Sequence, residues 1–304
     1  MIKNNSSLFF LEKALSKKAR IAIPEQDDSR IKLAIKILKD YGFDIINIDS
    51  LKDKCDIYKD LISKKKFTKN WSEETYDSFL KNPINLSFVS LLNNDIDCGV
   101  AGATVSSSEI IRSAIRVLGL KSKVEVLSSS FFMLSPNMKK KLTYSDCAVI
   151  PEPNIKQFCS IAYEAACSHE LLSGEKPKVA FLSFSTKGSA EHYKVNRIQE
   201  AYKLFTKKYP DILCDGELQF DSAINSDIAK KKNANSMLDG DANVFVFPDL
   251  DSGNIAYKIT QHIGGYCALG PLLQGLNKPF HDLSRGCSVD DIVSVSMIAA
   301  LQSI

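Results

Sequence analysis

Short apolar runs alternate with longer amphipathic ones along most of this chain, and that alternation restricts the fold class more firmly than any other feature. Arg20 to Pro24 has the length of a strand, and Ser29 to Lys39 places Ile31, Ala34, Ile35 and Leu38 on one helical face. Strand patterns recur at Phe43 to Ile48, Cys98 to Ala103, Ala148 to Ile150, Lys178 to Ser183, Ile212 to Cys214 and Val244 to Phe247. Helical patterns lie between and after them at Glu73 to Asn93 (interrupted near Pro83), Ser106 to Leu118, Asn154 to Leu172, Ser189 to Lys208, Phe220 to Lys232, Gly253 to Ile263 and Val289 to Ile304. Strand and helix in alternation imply an α/β chain with mainly parallel sheets and helices on both faces. Pro136 and the run Lys139-Lys140-Lys141 interrupt the pattern. They divide the chain into two doubly wound domains that meet near residue 140.

The chain has 304 residues, of which 44% are hydrophobic and 25% charged, enough for two cores and incompatible with a disordered chain. Its 39 basic and 36 acidic residues leave a net charge of +3, too small an excess to imply nucleic acid. No apolar run reaches the roughly 18 residues of a membrane span. Met1 to Arg20 lacks the apolar core and cleavage pattern of a secretory signal. The eight cysteines form no Cys-x-x-Cys pair and no zinc-like spacing with histidine, which argues for free thiols in a reducing cytoplasm and against a metal site.

In doubly wound sheets, ligands bind beyond the carboxyl ends of strands. Polar clusters stand there at Ala103 to Arg112, Ser183 to Ser189, Asp215 to Asp221 and Phe247 to Lys258, and a fifth runs from Asp282 to Asp291. No Gly-x-Gly-x-x-Gly fingerprint or Walker A loop accompanies them. Ser185-Thr186-Lys187-Gly188-Ser189 has the letters to present backbone amides to an anion, or simply to turn the chain. Asp282-Leu283-Ser284-Arg285-Gly286-Cys287-Ser288-Val289-Asp290-Asp291 combines an anion-binding guanidinium with hydroxyls and carboxylates that can move a proton. Ser288 and Asp291 also have capping-box spacing, as do Ser106 and Glu109. On spacing alone, Asp291 is either a helix cap or a base.

Several segments in order resemble the phosphate acetyltransferases. They are Asp215-Gly216-Glu217-Leu218-Gln219-Phe220-Asp221, Gly240 to Val244, Phe247-Pro248-Asp249-Leu250, Gly253-Asn254-Ile255-Ala256-Tyr257-Lys258, Gly270-Pro271, and Gln274 to Pro279 followed by Asp282 to Ser288. The likeness is nearly continuous from Lys178 to Gln302 and weaker from Arg20 to Pro151. It implies the reaction acetyl-CoA plus phosphate to acetyl phosphate plus CoA, an active-site cleft between two α/β domains, 1–140 and 141–287, with the closing helix 288–304 returning to the first, and a homodimer. It implies no bound cofactor, CoA being a substrate, and no nucleic-acid or membrane partner. The proposed base matches Asp291, and the groups that hold acetyl phosphate match Ser284 and Arg285. A second anion-binding arginine matches Arg112, with Ser106, Ser107 and Ser108 before it; Asn254 and Lys258 fall in a matched segment and are expected to meet substrate. An ordinary aspartate, near 3.9, is a weak base for a thiol near 8.5, so such a role needs either a carboxyl raised by desolvation or one that accepts the proton only as the thiolate forms.

One departure stands out. Where the family carries a CoA-contacting arginine, alignment places Ile62, so the likeness implies a weakened CoA contact that Ile62→Arg would restore. His281 replaces a residue that is usually asparagine and reads as a satisfied or surface histidine; Cys287 reads as packing. A transferase for longer acyl chains such as butyryl is the nearest alternative, and a catalytically silent regulatory homologue is the alternative from another class.

Overall fold

The computed structural model describes residues 5–233 and 235–303. In chain order the elements are α1 (Asn5–Ser16), β1 (Arg20–Ala22), α2 (Ser29–Asp40), β2 (Asp44–Ile46), α3 (Cys55–Ser63), α4 (Glu73–Lys81), α5 (Pro83–Leu92), β3 (Cys98–Ala101) and α6 (Ser107–Val117). They continue as β4 (Ser128–Leu134), β5 (Lys141–Ser145), α7 (Ile155–Ser173), β6 (Lys178–Leu182), α8 (Tyr193–Lys208), β7 (Leu213–Leu218), α9 (Phe220–Ile224) and α10 (Ser226–Lys232). The last are β8 (Val244–Val246), α11 (Leu250–His262), β9 (Cys267–Gln274), β10 (Phe280–Asp282) and α12 (Val289–Gln302). No helix among the described residues is long and apolar enough to cross a membrane.

The chain forms two compact units, 1–121 with 276–304, and 122–275. These divisions differ from the 140 and 288 boundaries expected from the sequence, and strand pairing is the reason. Residues 128–134 pair with β5 and β9 of the second unit. Residues 280–282 pair with β3 of the first.

The first unit holds a four-stranded, wholly parallel sheet in the order β10-β3-β1-β2. The closing helix α12 is buried at every position from Ile292 to Leu301, because its sequence is apolar or small on all sides. It packs against α1, α2, β1 and β3. The break expected near Pro83 is a true boundary: Asn82 accepts from the amides of Ile84 (2.9 Å) and Asn85 (3.3 Å), and Pro83 fills the first helical turn, where no amide donor is needed.

The second unit has a six-stranded sheet in the order β7-β6-β8-β5-β4-β9. Its first four strands are parallel, and β4 runs antiparallel to both β5 and β9. Both faces are buried. Val179, Phe181, Val244 and Val246 pack with Phe158, Ile161, Ile198 and Phe205 on one face. Ala180, Leu182, Phe245 and Phe247 pack with Phe131, Tyr144 and Leu218 on the other. Successive residues alternate sides, which is why the parallel strands read as continuous apolar runs.

Ala148 to Ile150, expected to be a strand, is instead a loop. Its amides donate to the carboxylate of Asp146, at 3.0 Å from Ala148, 3.3 Å from Val149 and 2.8 Å from Ile150. The segment 220–232, expected as one helix, breaks at Asn225, whose side chain caps α10 by accepting from Asp227 and Ile228. Strands β4, β5, β9 and β10 were not expected. Ser128, Ser129 and Ser130 look like loop residues but are buried, with Ser129 bonded to Asp146 and Ser128 to Gln274. Pro271 lies in β9, an edge strand, opposite the register shift at Ser130 to Phe132, the setting in which a sheet tolerates proline.

His169 makes acid stability testable. It is fully buried on α7 against Thr143 (Nδ1 to Oγ1 2.9 Å), and its Nε2 has no hydrogen-bond partner among the described residues. Burial pushes its pKa down from 6.5 to about 4. The unfolded chain therefore takes up this proton first, so stability present above about pH 6.5 is lost as pH falls toward 4. The contribution at stake is on the order of 3 kcal/mol. A melting temperature that is flat across this window in the wild type, or that falls just as steeply in His169→Asn, would contradict the assignment.

Candidate functional site

The parallel order β10-β3-β1 sets the carboxyl ends of three strands side by side, with Asp282 in register with Ala101. Three loops leave these ends. Residues 24–28 follow β1, residues 102–106 follow β3, and residues 283–288 follow β10. The expected residues Ser106, Ser107, Ser108, Arg112, Ser284, Arg285 and Asp291 all lie on the last two loops or on the helices they open. The first unit alone thus gathers seven of the nine.

The loop after β3 is shaped from below by Glu25. Its Oε2 accepts from the amides of Gly102 (2.7 Å) and Ala103 (2.9 Å), and its Oε1 from the amide (2.7 Å) and hydroxyl (2.6 Å) of Thr104. Gly102 has φ +116°, and a Cβ there would collide with Asp282 and Leu283, so glycine is required where the two loops touch. Ser106 occupies the N-cap of α6 in extended conformation but does not cap it. The expected Ser106–Glu109 box is absent; the Ser106 hydroxyl instead meets that of Ser108 at 3.0 Å. All three serines and Arg112 are exposed.

The loop after β10 turns on a bond from the amide of Cys287 to the Ser284 carbonyl (2.8 Å), and Gly286 donates to the Ser284 hydroxyl (3.2 Å). Ser284 and Arg285 are exposed, and the Arg285 guanidinium has no hydrogen-bond or ion-pair partner among the described residues. Cys287 is buried, and burial pushes its thiol up to about 11, against an opposing pull from Arg30. That makes it packing, not a nucleophile.

Asp291 does form the capping box with Ser288. Its Oδ2 accepts from the Ser288 amide and hydroxyl, each at 2.8 Å, and its own amide donates back to the Ser288 hydroxyl at 3.2 Å. Both bonds use one carboxylate oxygen. Oδ1 takes no hydrogen bond among the described residues, and the residue is half-buried. The cap and a proton-accepting role are therefore geometrically compatible.

Just beneath, Asp282 is buried, with Oδ1 unpartnered among the described residues. Burial pushes its carboxyl up to about 6, while a hydrogen bond from Ser107 pulls the other way. His281, next to it, is wholly buried with Nε2 2.6 Å from Gln302 Oε1, so it is a satisfied core histidine and not a surface one.

Asn254 and Lys258 belong to α11 in the second unit. The Asn254 amide nitrogen donates to the Cys147 carbonyl (3.1 Å), a structural tie beside the point where Gly253 lies directly on the Asp146 carbonyl. Lys258 is exposed, its Nζ 5.8 Å from the Tyr257 ring centre.

Two expectations fail here. Ser185 to Ser189 offers no free amides: Gly188 donates to Glu217 Oε1 (2.7 Å), Lys187 to the Glu217 carbonyl (3.2 Å), Thr186 to Ser189 Oγ (3.0 Å) and Ser189 to the Thr186 carbonyl (3.1 Å). Helix α8 begins only at Tyr193, and Asp215 to Leu218 lies within β7, where Asp215 pairs with Lys187. The CoA contact that Ile62→Arg was expected to restore is the second. Ile62 is wholly buried on α3, with Thr68 Oγ1 bonded to its carbonyl (2.8 Å), so it cannot stand where a CoA contact would be. Lys64, just beyond, is exposed and paired with Asp60.

Glu25, Asp28 and Arg30 were not singled out as shaping this site. Asp28-Ser29-Arg30 reads locally as nothing more than a helix start, and only the adjacency of the strands reveals the rest. Among the described residues, no group of His, Cys, Asp or Glu is placed to hold a metal ion.

The comparisons with known proteins agree with one another. The model of the family described as phosphate acetyl/butaryl transferase matches residues 32–300. A phosphate acetyltransferase of Staphylococcus aureus (strain MRSA252) is 37% identical over 323 residues, spanning 96% of this chain and 97% of its own. A solved phosphotransacetylase from Streptococcus pyogenes superimposes with a TM-score of 0.89 at 33% identity, covering 99% of each chain. The EutD phosphotransacetylase from Staphylococcus aureus gives 0.85 at 34% identity, covering 98% of this chain and 99% of that one.

Proposed function

The chain belongs to the phosphate acetyl/butaryl transferase family, and we propose that it moves an acetyl group between CoA and inorganic phosphate. In the direction of CoA acylation, Asp291 accepts the thiol proton as the sulfur attacks the acetyl carbonyl of acetyl phosphate. The carbonyl oxygen takes up negative charge, the tetrahedral intermediate collapses, and the carbon–oxygen bond to phosphate breaks. Arg285 and Ser284 hold the phosphate and steady the developing oxyanion; a guanidinium fork matches such oxygens and stays charged. Arg112, with Ser106 to Ser108 before it, supplies a second anion-binding edge. CoA enters as a substrate, and the chemistry asks for no metal. The same reading carries a homodimer and a cytoplasmic location, the latter supported by eight free cysteines.

The observation that carries the reading is the Arg285 guanidinium beside Ser284, unpartnered among the described residues, on a loop adjoining the one that leads into Ser106 to Ser108. Purified protein is expected to form acetyl-CoA from acetyl phosphate and CoA, and to run the reverse only when phosphate is present. No acetyl transfer, or clear preference for butyryl phosphate, would replace the reading. Ile62, the one departure that favoured a silent homologue, no longer bears on the site.

Asp291→Asn separates cap from base. Asparagine still caps helices, so stability changes little, by about 1 kcal/mol at most. Loss of a positioned base costs roughly 100- to 10,000-fold in turnover. The deficit is expected to shrink toward pH 9, where solution thiolate needs no base. Asp290→Asn is the control; matching losses at both positions would point to helix-terminus charge, not to a base.

A further inference from the structure

Arg30 reaches the site from the second position of α2 and has no role in the chemistry above. Its Nε and Nη2 donate to the two carboxylate oxygens of Asp28 (3.1 and 2.7 Å), which fixes the plane of the guanidinium. Asp28 is the N-cap of α2 and accepts from the Arg30 amide as well (2.8 Å). The Arg30 hydrogen bonds hold its carboxyl down at about 2, so the pair stays charged through the working range.

The remaining donors point at backbone. Nη1 donates to the carbonyls of Arg285 and Cys287, each at 2.9 Å, and Nη2 to the carbonyl of Ala103 at 3.1 Å. One planar group therefore ties the loop after β10 to the loop after β3. Holding the Arg285 carbonyl fixes the peptide plane that follows it, and with it the direction in which the exposed Arg285 side chain leaves the backbone. The loop has little else to hold it: Ser284, Arg285 and Gly286 are all exposed, and within it the amides of Cys287 and Gly286 reach only the carbonyl and hydroxyl of Ser284. Arginine suits the task where lysine does not, because three carbonyls and a carboxylate must be met from one rigid fork.

We propose that Arg30 is a positioning residue that presets Arg285 for the acyl phosphate by holding the Arg285, Cys287 and Ala103 carbonyls together. The catalytic consequence rests on the transferase reading above; the restraint on the loop does not. A misplacement of about 1 Å can cost on the order of 100-fold in rate. Arg30→Ala is therefore expected to lower kcat about 10- to 100-fold with a smaller change in either KM. Because the effect passes through Arg285, it should shrink to under about threefold in an Arg285→Ala background, as coupled sites do. Arg30→Lys, which keeps the charge beside Asp28, should show the same pattern and serves if the alanine variant folds poorly.

A readout independent of turnover accompanies the cycle. Trypsin cleavage after Arg285 should run at least about tenfold faster in Arg30→Ala or Arg30→Lys than in wild type, with cleavage elsewhere and the melting temperature little changed. Equal cleavage after Arg285 overturns the proposal, as does a kcat loss of the same size with and without Arg285. Faster cleavage in a wild-type background that shows no acetyl transfer would overturn the transferase reading while leaving the loop restraint standing.

Discussion

Arg285→Ala lowers acetyl transfer about 100- to 1000-fold, the usual cost of removing one donor that stabilises a developing oxyanion. The melting temperature stays near that of the wild type. Both halves of this expectation come from the same geometry. The guanidinium is exposed and unpartnered among the described residues, so its removal breaks no bond in the folded chain. The bond that the residue does make, from Arg30 to its carbonyl, belongs to the backbone and survives in alanine. Arg285→Lys keeps the charge but loses the fork and should recover only part of the loss. Steady-state kinetics with acetyl phosphate, paired with a thermal melt, decide it. Near-normal turnover would remove Arg285 from the mechanism, and a large fall in melting temperature would turn the defect into one of folding.

The second large effect is on stability. Ile62→Arg is expected to destabilise the first unit by about 4 kcal/mol or more, in the range reserved for burying an unpaired charge. Ile62 is wholly buried on α3, one turn from the equally buried Tyr58, and its carbonyl holds Thr68. A guanidinium there finds no carboxylate: Asp95, the acid nearest this layer, already accepts from Lys54, Tyr58 and Asn93. At roughly 2–4 °C per kcal/mol for a unit of this size, the melting temperature should fall by about 10 °C. A soluble variant of normal stability with a lower KM for CoA would restore Ile62 to the CoA site and defeat this reading.

What the sequence determined by itself is what short-range periodicity and chemistry encode. Val179-Ala180-Phe181-Leu182 and Val244-Phe245-Val246-Phe247 read as strands, and Ile31, Ala34, Ile35 and Leu38 as one face of a helix; all are buried except Ile35, which is half-buried. The Asp282 to Asp291 cluster led to the expectation of an anion-binding site, and the family likeness is borne out over nearly the whole chain. Tertiary structure alone decided which polar groups are free to act. Ser128 to Ser130 are strand core because Asp146 and Gln274 accept from two of them. The amides of Ser185 to Ser189 are closed to ligands because Glu217, from the neighbouring strand, takes one of them and its carbonyl another. Arg30 touches the site through a partner 255 residues away in sequence. Local pattern reports which face of an element is apolar, since that depends on a residue's near neighbours along the chain. It carries no record of hydrogen-bond partners that only the order of strands in a sheet brings within 3 Å.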